Sequence, residues 1–372
     1  MDGERQDVAR AFLDGAGWRG AKLAALPGDA STRRYFRVAG NGRSAMLMDQ
    51  PQNAESPPSP LSATPEERLA LGYNAVARLA GADCGRFIAA AQFLRARGLA
   101  APEIYADDIV RGFVLLEDLG NDLYADVLGR NGSAEVLYGA AIDAIALVHQ
   151  EPAPPCLTPG KPLYIYDEIA CLAEINLMTE WFMPLALHRP ARPEETEEHR
   201  ALWSRALRGV RPAAEVFVHR DYHAQNLFWL PGRTGTARVG MIDFQDAVAG
   251  SRSYDLISLL EDARRDVAPE LALAMKNRYL ATMTARDERF DAEAWNAEGS
   301  VMAAQRNAKI AGIFARLATR DGKPRYLSYL PRVWRYIEHD LEHPALTELR
   351  AWYDRTIPRE KRNIGRIEEI MA

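Results

Sequence analysis

Two nine-residue segments constrain this chain more than any other feature. VHRDYHAQN (218–226) places Asp221 five residues before Asn226, directly after an apolar, strand-like run. VGMIDFQDA (239–247) places Asp243 seventeen residues after that asparagine, at the end of a second such run. Carboxylate and amide oxygens held at strand ends suit a hard divalent cation and the phosphates it neutralises. Magnesium takes oxygen ligands and keeps several of its waters, so Asn226 and Asp243 are a sufficient protein contribution. Asp221 is then the candidate for accepting or orienting the proton of an acceptor hydroxyl. His219 and His223 have no other His or Cys at metal-ligand spacing and are read as residues that position the loop.

The surrounding pattern is that of a two-lobed α+β protein. RRYFRV (33–38) and SAMLMD (44–49) read as strands on either side of AGNGR, a Gly/Asn turn suited to a hairpin. PQNAESPPSPLSATP (51–65) is a Pro/Ser-rich break, read as an exposed loop. Helical patterns follow at 66–80 and 85–97, then strands in PEIYADD and GFVLLEDLG. After Gly120 helices dominate. Ser133 is the expected N-cap of a helix to about residue 149, with Leu137, Ala141, Ile145 and Val148 on one stripe. YDEIACLAEINLMTEWFMPLAL (166–187) is apolar on most sides and reads as one long buried helix. Strands return only at 215–219, 225–230 and 237–242. The expected organisation is a small, mostly β lobe (1–116), a hinge (117–120) and a large, mainly helical lobe (121–372), with a cleft between the lobes.

Bulk properties narrow the function classes. A chain of 372 residues exceeds one small core. Forty-six Lys and Arg against 51 Asp and Glu give a net charge of −5, which argues against a nucleic-acid partner. Cys84, Cys156 and Cys171 are far apart and build neither a disulfide frame nor a zinc site. The N-terminus lacks the basic-then-apolar order of a signal peptide, and no long apolar run is free of charge. The expectation is a cytoplasmic protein with no membrane partner.

Jointly, His-Arg-Asp-x4-Asn after one strand and Ile-Asp-Phe after another match the protein-kinase signature. The chain resembles the aminoglycoside-phosphotransferase family of protein-kinase-like small-molecule kinases over most of its length. GDASTRRYFRV (28–38) is similar to the nucleotide-covering loop and second strand, LLEDLG (115–120) to the hinge, HRDYHAQN to the catalytic loop, and IDFQDA to the metal-binding segment. The resemblance implies a protein-kinase-like fold, ATP as phosphoryl donor and Mg2+ as cofactor. It also implies that backbone groups of Glu117 and Leu119 meet the adenine, while Ser31 and Thr32 approach the phosphates. Only QDAVAGSRS separates Phe244 from the helix expected near Tyr254, so the long activation segment that receives a polypeptide is missing. The acceptor is expected to be a small molecule.

One departure stands out. AMLMDQP puts Met48 where the phosphate-binding lysine would stand, and the 85–97 helix lacks that lysine's acidic partner. Arg33 or Arg34 is the candidate replacement. The double loss keeps a non-catalytic, nucleotide-binding scaffold open as an alternative.

A narrower resemblance rests on STRRYFRV, LMDQP, MIDFQDAVAGSRSYDLISLLEDARRDV and RNAKIAGIFARLATRDGK. These are similar to the kinases of peptidoglycan recycling that phosphorylate the anomeric hydroxyl of N-acetylmuramate and N-acetylglucosamine from ATP. Met48 agrees with that group, whereas 51–65 and 66–80 look like an insertion. Acceptor residues are then sought by helical phase. Glu174 shares an apolar stripe with Cys171, Met178 and Trp181, and a carboxylate there needs a partner. Sugar hydroxyls above Trp181 are one candidate, a buried salt bridge the other. In 305–320, Ile310, Ile313, Phe314 and Leu317 form one face, Gln305, Lys309, Gly312 and Arg316 the opposite one, with Arg306 and Asn307 at the margins. Arg306 and Arg264 are the cations expected to meet the lactyl carboxylate of N-acetylmuramate. Alternatives are an aminoglycoside, choline or homoserine-type alcohol as acceptor, although the basic helix disfavours cationic aminoglycosides.

Overall fold

The alternation in RRYFRV and SAMLMD is realised as a hairpin. In the computed structural model, β2 (Arg34–Gly40) and β3 (Arg43–Asp49) pair antiparallel from Arg34↔Asp49 to Gly40↔Arg43. The structure describes residues 3–27, 32–40, 42–51, 57–60, 62–77, 79–210 and 214–364. Ser31 and the middle of the Pro/Ser-rich stretch lie outside them. β1 (Lys22–Ala25), β4 (Ile104–Asp108) and β5 (Phe113–Leu116) complete an antiparallel sheet of order β1-β2-β3-β5-β4. Successive side chains take opposite faces. Val38, Leu47, Phe113 and Leu115 pack under α1 (Gly3–Gly15) with its Ala9 and Leu13. Met46, Met48, Val114 and Leu116 face the other way, into the core that holds Phe87 and Ile88.

Two helices come between β3 and β4. α2 (Pro65–Ala77) is kinked at Gly72, with φ 76° and ψ −176°, a conformation that is almost confined to glycine. α3 (Cys84–Arg95) is buried along most of its length, and Asp83 caps it by accepting from the Gly85 N–H. Although α2 falls inside the 1–116 range, it packs against the helical lobe, where Val76 and the following Leu79 join the main core.

The helical lobe begins with α4 (Tyr124–Gly129) and α5 (Ala134–Val148). Ser133 caps α5 through the Val136 N–H, and the stripe Leu137, Ala141, Ile145 and Val148 is buried as expected. Three short strands follow: β6 (Cys156–Thr158), β7 (Lys161–Pro162) and β8 (Tyr164–Ile165). The long helix expected over 166–187 is instead α6 (Glu168–Leu177), a π-helical turn (Met178–Phe182) and α7 (Met183–Leu187) in one run. α8 (Pro193–Val210) precedes β9 (Val216–Val218), β10 (Leu227–Trp229), β11 (Val239–Met241) and β12 (Val248–Gly250). β10 and β11 form an antiparallel hairpin, while β12 joins β9 antiparallel and β8 parallel. The chain closes with α9 (Tyr254–Leu260), α10 (Pro269–Arg286), α11 (Ala292–Thr319), α12 (Leu330–Asp340) and α13 (Thr347–Thr356). No helix among the described residues is long and apolar enough to cross a membrane.

α11 departs from its amphipathic reading. Gln305, Arg306, Asn307, Lys309 and Arg316 are all buried, because α6, the π-helical turn and α12 pack around it. The closest approach is at Gly312, where a Cβ would lie 2.5 Å from the Leu177 carbonyl carbon and oxygen. That carbonyl is backbone and cannot step aside cheaply. Gly312→Ala is therefore expected to cost about 1–3 kcal/mol through overpacking. A urea titration that leaves the midpoint unchanged would refute this tight crossing.

Candidate active site

β9 delivers the chain to His219, Arg220 and Asp221, and the turn is made with Arg220 at φ 74°. A non-glycine residue there is strained and needs its surroundings to hold it. Two buried carboxylates do so. Asp255, in the first turn of α9, accepts the His219 N–H at 2.6 Å and the Arg220 N–H at 2.9 Å. Burial pushes its carboxyl up to about 7, against the lowering effect of those two donors. Glu174 accepts from Arg220 Nη2 at 2.6 Å and from Lys309 Nζ at 3.3 Å on Oε1, while Tyr166 Oη and Gln305 Nε2 donate to Oε2. Burial alone would raise the Glu174 carboxyl, but Lys309 and Arg220 outweigh it and hold it below the usual range. Arg220 also donates to the Ala77 carbonyl at 2.6 Å, which fixes the end of α2.

The second strand-end carboxylate, Asp243, also sits at positive φ, 65°. Its Oδ1 accepts from Gln245 Nε2 at 2.9 Å and lies 3.5 Å from Arg33 Nη1. Asn226 Nδ2 donates to the Asp221 carbonyl at 2.9 Å and is 3.4 Å from Asp243 Oδ2. Burial first, and the neighbouring Asp221 second, push the Asp243 carboxyl above its ordinary range. With its nitrogen so engaged, the asparagine has Oδ1 left as its ligand atom. Among the described residues no cluster of three or more His, Cys, Asp or Glu could cage a metal. One carboxylate and one amide oxygen instead fit magnesium, which fills its octahedron with phosphate and water oxygens. His219 packs edge-on against Tyr222 and Phe244. His223 Nε2 lies 3.4 Å from both Asn226 Nδ2 and Arg264 Nη1, and burial holds the ring near pKa 3.

Met48 is buried and touched by Tyr35 Oη at 3.5 Å, so no cation comes from that strand position. Strand alternation decides between the two candidate replacements. Arg34 turns away to Asp49 Oδ2 at 2.7 Å, while Arg33 is buried, lines the cleft and faces Asp243. α3 carries Arg86 in place of an acidic residue. Its guanidinium donates to the Pro162 carbonyl at 2.9 Å and to the Gln245 and Ala247 carbonyls at 3.4 Å each, tying α3 to the segment after Asp243.

These groups converge on one cleft of about 510 Å³, a volume in the range of small-ligand sites. At one end Met46, Leu116, Phe228 and Ile242 line an apolar slot beside Glu117 and Leu119. The Glu117 N–H is donated to the Glu103 carbonyl at 2.8 Å, so its remaining backbone group is its own carbonyl. Gly240 lets the slot close: a Cβ there would sit 3.0 Å from Phe228 Cβ and 3.1 Å from Leu119 Cδ1. At the other end the wall is α11, with Arg264 and Tyr73 beside it.

Comparison with known proteins agrees with this arrangement. A family model described as phosphotransferase enzyme family matches residues 22–290. The chain belongs to that phosphotransferase family. It is 44% identical over 368 residues to the N-acetylmuramate/N-acetylglucosamine kinase of Caulobacter vibrioides, covering 97% of this chain and 99% of that one. A microcompartment-associated aminopropanol kinase shares the fold at TM-score 0.55 and 14% identity, over 97% of this chain and 98% of that chain. An aminoglycoside phosphotransferase in a streptomycin–ATP complex does so at TM-score 0.52 and 14% identity, over 93% and 97%. The fold is thus protein-kinase-like, and the protein is a kinase.

In this phosphotransferase Asp221, Asn226, Asp243, Arg33, Glu117, Leu119, Arg264 and Arg306 all line the cleft. Thr32 lies beside it, accepting from Gln50 Nε2 at 3.3 Å. Glu174 and Trp181 are elsewhere. Glu174 is the buried salt bridge, its oxygens occupied under the 219–226 loop. Trp181 lies in the π-helical turn, half-buried against the main core. Sequence reasoning missed Asp255, Arg86 and Tyr73. Nothing in the spacing of Asp255 distinguishes it from a helix-start aspartate. Glu174→Ala leaves two cations uncompensated in the core, for an expected loss of about 3–5 kcal/mol. It should also lower kcat by freeing Arg220, and denaturation at wild-type midpoint with full turnover would remove Glu174 from this role.

Proposed function

We propose that this phosphotransferase moves the γ-phosphoryl group of ATP to the anomeric hydroxyl of N-acetylmuramate and N-acetylglucosamine, as a step of peptidoglycan recycling. The observation that carries the reading is the convergence of Asp221, Asn226 and Asp243 on a cleft whose far wall is basic. The similarity to the Caulobacter kinase supports the choice of sugar. The adenine lies in the slot beside Glu117 and Leu119, within a hinge at 117–120 between the nucleotide-binding lobe and the acceptor-binding lobe. Thr32 and Arg33 serve the phosphates, with Arg33 standing in for the lysine lost at Met48.

Asn226 and Asp243 hold Mg2+, which when bound neutralises charge on the phosphate oxygens. Asp221 accepts the proton of the anomeric hydroxyl as that oxygen bonds to the γ-phosphorus and the bond to the β-phosphate oxygen breaks, releasing ADP. An anomeric hydroxyl is more acidic than other sugar hydroxyls, so a carboxylate is a sufficient base for it. The acceptor end is basic, which suits an anionic or neutral sugar better than a cationic aminoglycoside or choline.

Phosphorus NMR of a reaction with ATP, magnesium and either sugar should show a new ester at the anomeric carbon. Asp221→Asn should abolish it, by about 10²–10⁴-fold for loss of one positioned base, while a fluorescent ATP analogue still binds. Formation of ADP without any sugar phosphate, or undiminished transfer by Asp221→Asn, would overturn the proposal.

A further inference from the structure

We infer that Arg316, stacked on Tyr73, is the subsite that reads a carboxylate on the acceptor, and so favours N-acetylmuramate over the uncharged N-acetylglucosamine. The inference rests on the amino-sugar reading above and deepens it. Most cations on the acceptor side of the cleft are already engaged. Arg220 and Lys309 are held by Glu174, and Lys309 also donates to Tyr254 Oη at 2.7 Å. Arg306 Nη2 donates to Ser258 Oγ at 2.9 Å and Nη1 reaches the Glu261 carbonyl at 3.4 Å, so this guanidinium braces α9. Arg320 is paired with Asp321 at 2.6 Å and 2.9 Å. Arg264 stands between the two ends, its Nη1 3.4 Å from His223 Nε2 and its guanidinium 5.9 Å from the centre of the Phe314 ring on α11.

Arg316 differs. It is 8% exposed, lines the cleft, and its buried Nε meets no hydrogen-bond acceptor among the described residues. Glu180 and Asp321 are near enough to feel its charge. Its guanidinium lies 4.6 Å from the centre of the Tyr73 ring, a stacking that fixes the plane of the fork without using its donors. A planar guanidinium on the cleft wall, not held by any carboxylate ion pair among the described residues, is what a ligand carboxylate can meet in two-point fashion. Tyr73 owes its position to Gly72: the residue preceding it takes the φ 76°, ψ −176° kink, and the chain beyond it ends on Arg220 through the Ala77 carbonyl.

Asp221 and Arg316 line the same cleft. Arg316 lies two helical turns beyond Lys309, about 10 Å along α11, and Lys309 shares Glu174 with Arg220, the residue before Asp221.

The test is steady-state kinetics on both sugars with Arg316→Met, which keeps the apolar stem, Arg316→Lys, which keeps the charge, and Tyr73→Ala. The ratio of kcat/KM for N-acetylmuramate to that for N-acetylglucosamine should fall about ten- to hundredfold in Arg316→Met, the range for losing a hydrogen-bonded charge. Arg316→Lys should recover part of it, and Tyr73→Ala should lose part. Arg264→Ala should depress both sugars together. An unchanged ratio in Arg316→Met, with the wild type turning over both sugars, overturns the subsite and leaves the proposed activity intact. Wild-type enzyme that phosphorylates neither sugar sinks the activity and the subsite together.

Discussion

The site depends on one buried guanidinium. Arg220 holds an unfavourable backbone conformation one residue before Asp221, and it does so because both its main chain and its side chain are pinned. The pinning groups come from distant parts of the chain: Asp255 from α9, Glu174 from α6, itself held by Lys309 of α11, and the Ala77 carbonyl from α2. Such a cluster is not chosen for stability, since an apolar replacement of the same volume is often as good. What it supplies is position. Each member has one partner geometry in a medium where an unpaired charge is prohibitive, so the loop has one place to be.

On the proposed function, a similar economy replaces the missing lysine. In the usual arrangement one ion pair both binds phosphate and couples a helix to the strand beneath it. Here the two tasks are divided. Arg33 brings positive charge to Asp243 from the neighbouring strand, while Arg86 couples α3 to the segment after Asp243 through backbone carbonyls. Carbonyl acceptors do not titrate and cannot be lost by side-chain substitution. The reading of the chain as a scaffold without turnover is set aside by its membership of the phosphotransferase family.

The legible parts of this protein were those fixed by local geometry. Asp221, Asn226 and Asp243 are set by short spacings next to strands, and these survive into three dimensions because a few residues of loop cannot rearrange much. Ser133 and the α5 stripe were legible for the same reason. What failed was inference from helical phase. Phase says which residues share a face but not what the face meets. Gln305, Lys309 and Arg316 were thus placed opposite the apolar face of α11 with no partner in view, although α6, the π-helical turn and α12 bury them. Glu174 looked like a ligand group because its partners, Arg220 and Lys309, are 46 and 135 residues away. Asp255 was invisible: its partners are backbone N–H groups, which every residue but proline carries.

α11 also shows how one fold can keep its chemistry and change its acceptor. Its Gln305 and Lys309 belong to the Glu174 cluster beneath the 219–226 loop that carries Asp221. Two turns later the same helix leaves the cluster, and Ile313, Arg316 and Leu317 line the far end of the cleft. Positions such as 313, 316 and 317 can then vary without unseating the loop. The aminopropanol kinase and the aminoglycoside phosphotransferase share this fold at 14% identity, which is the divergence expected where function sits in a site grafted on a conserved frame. On the proposed function, the rigid end of the helix fixes where a hydroxyl must be, and the outer end decides which molecule can put one there.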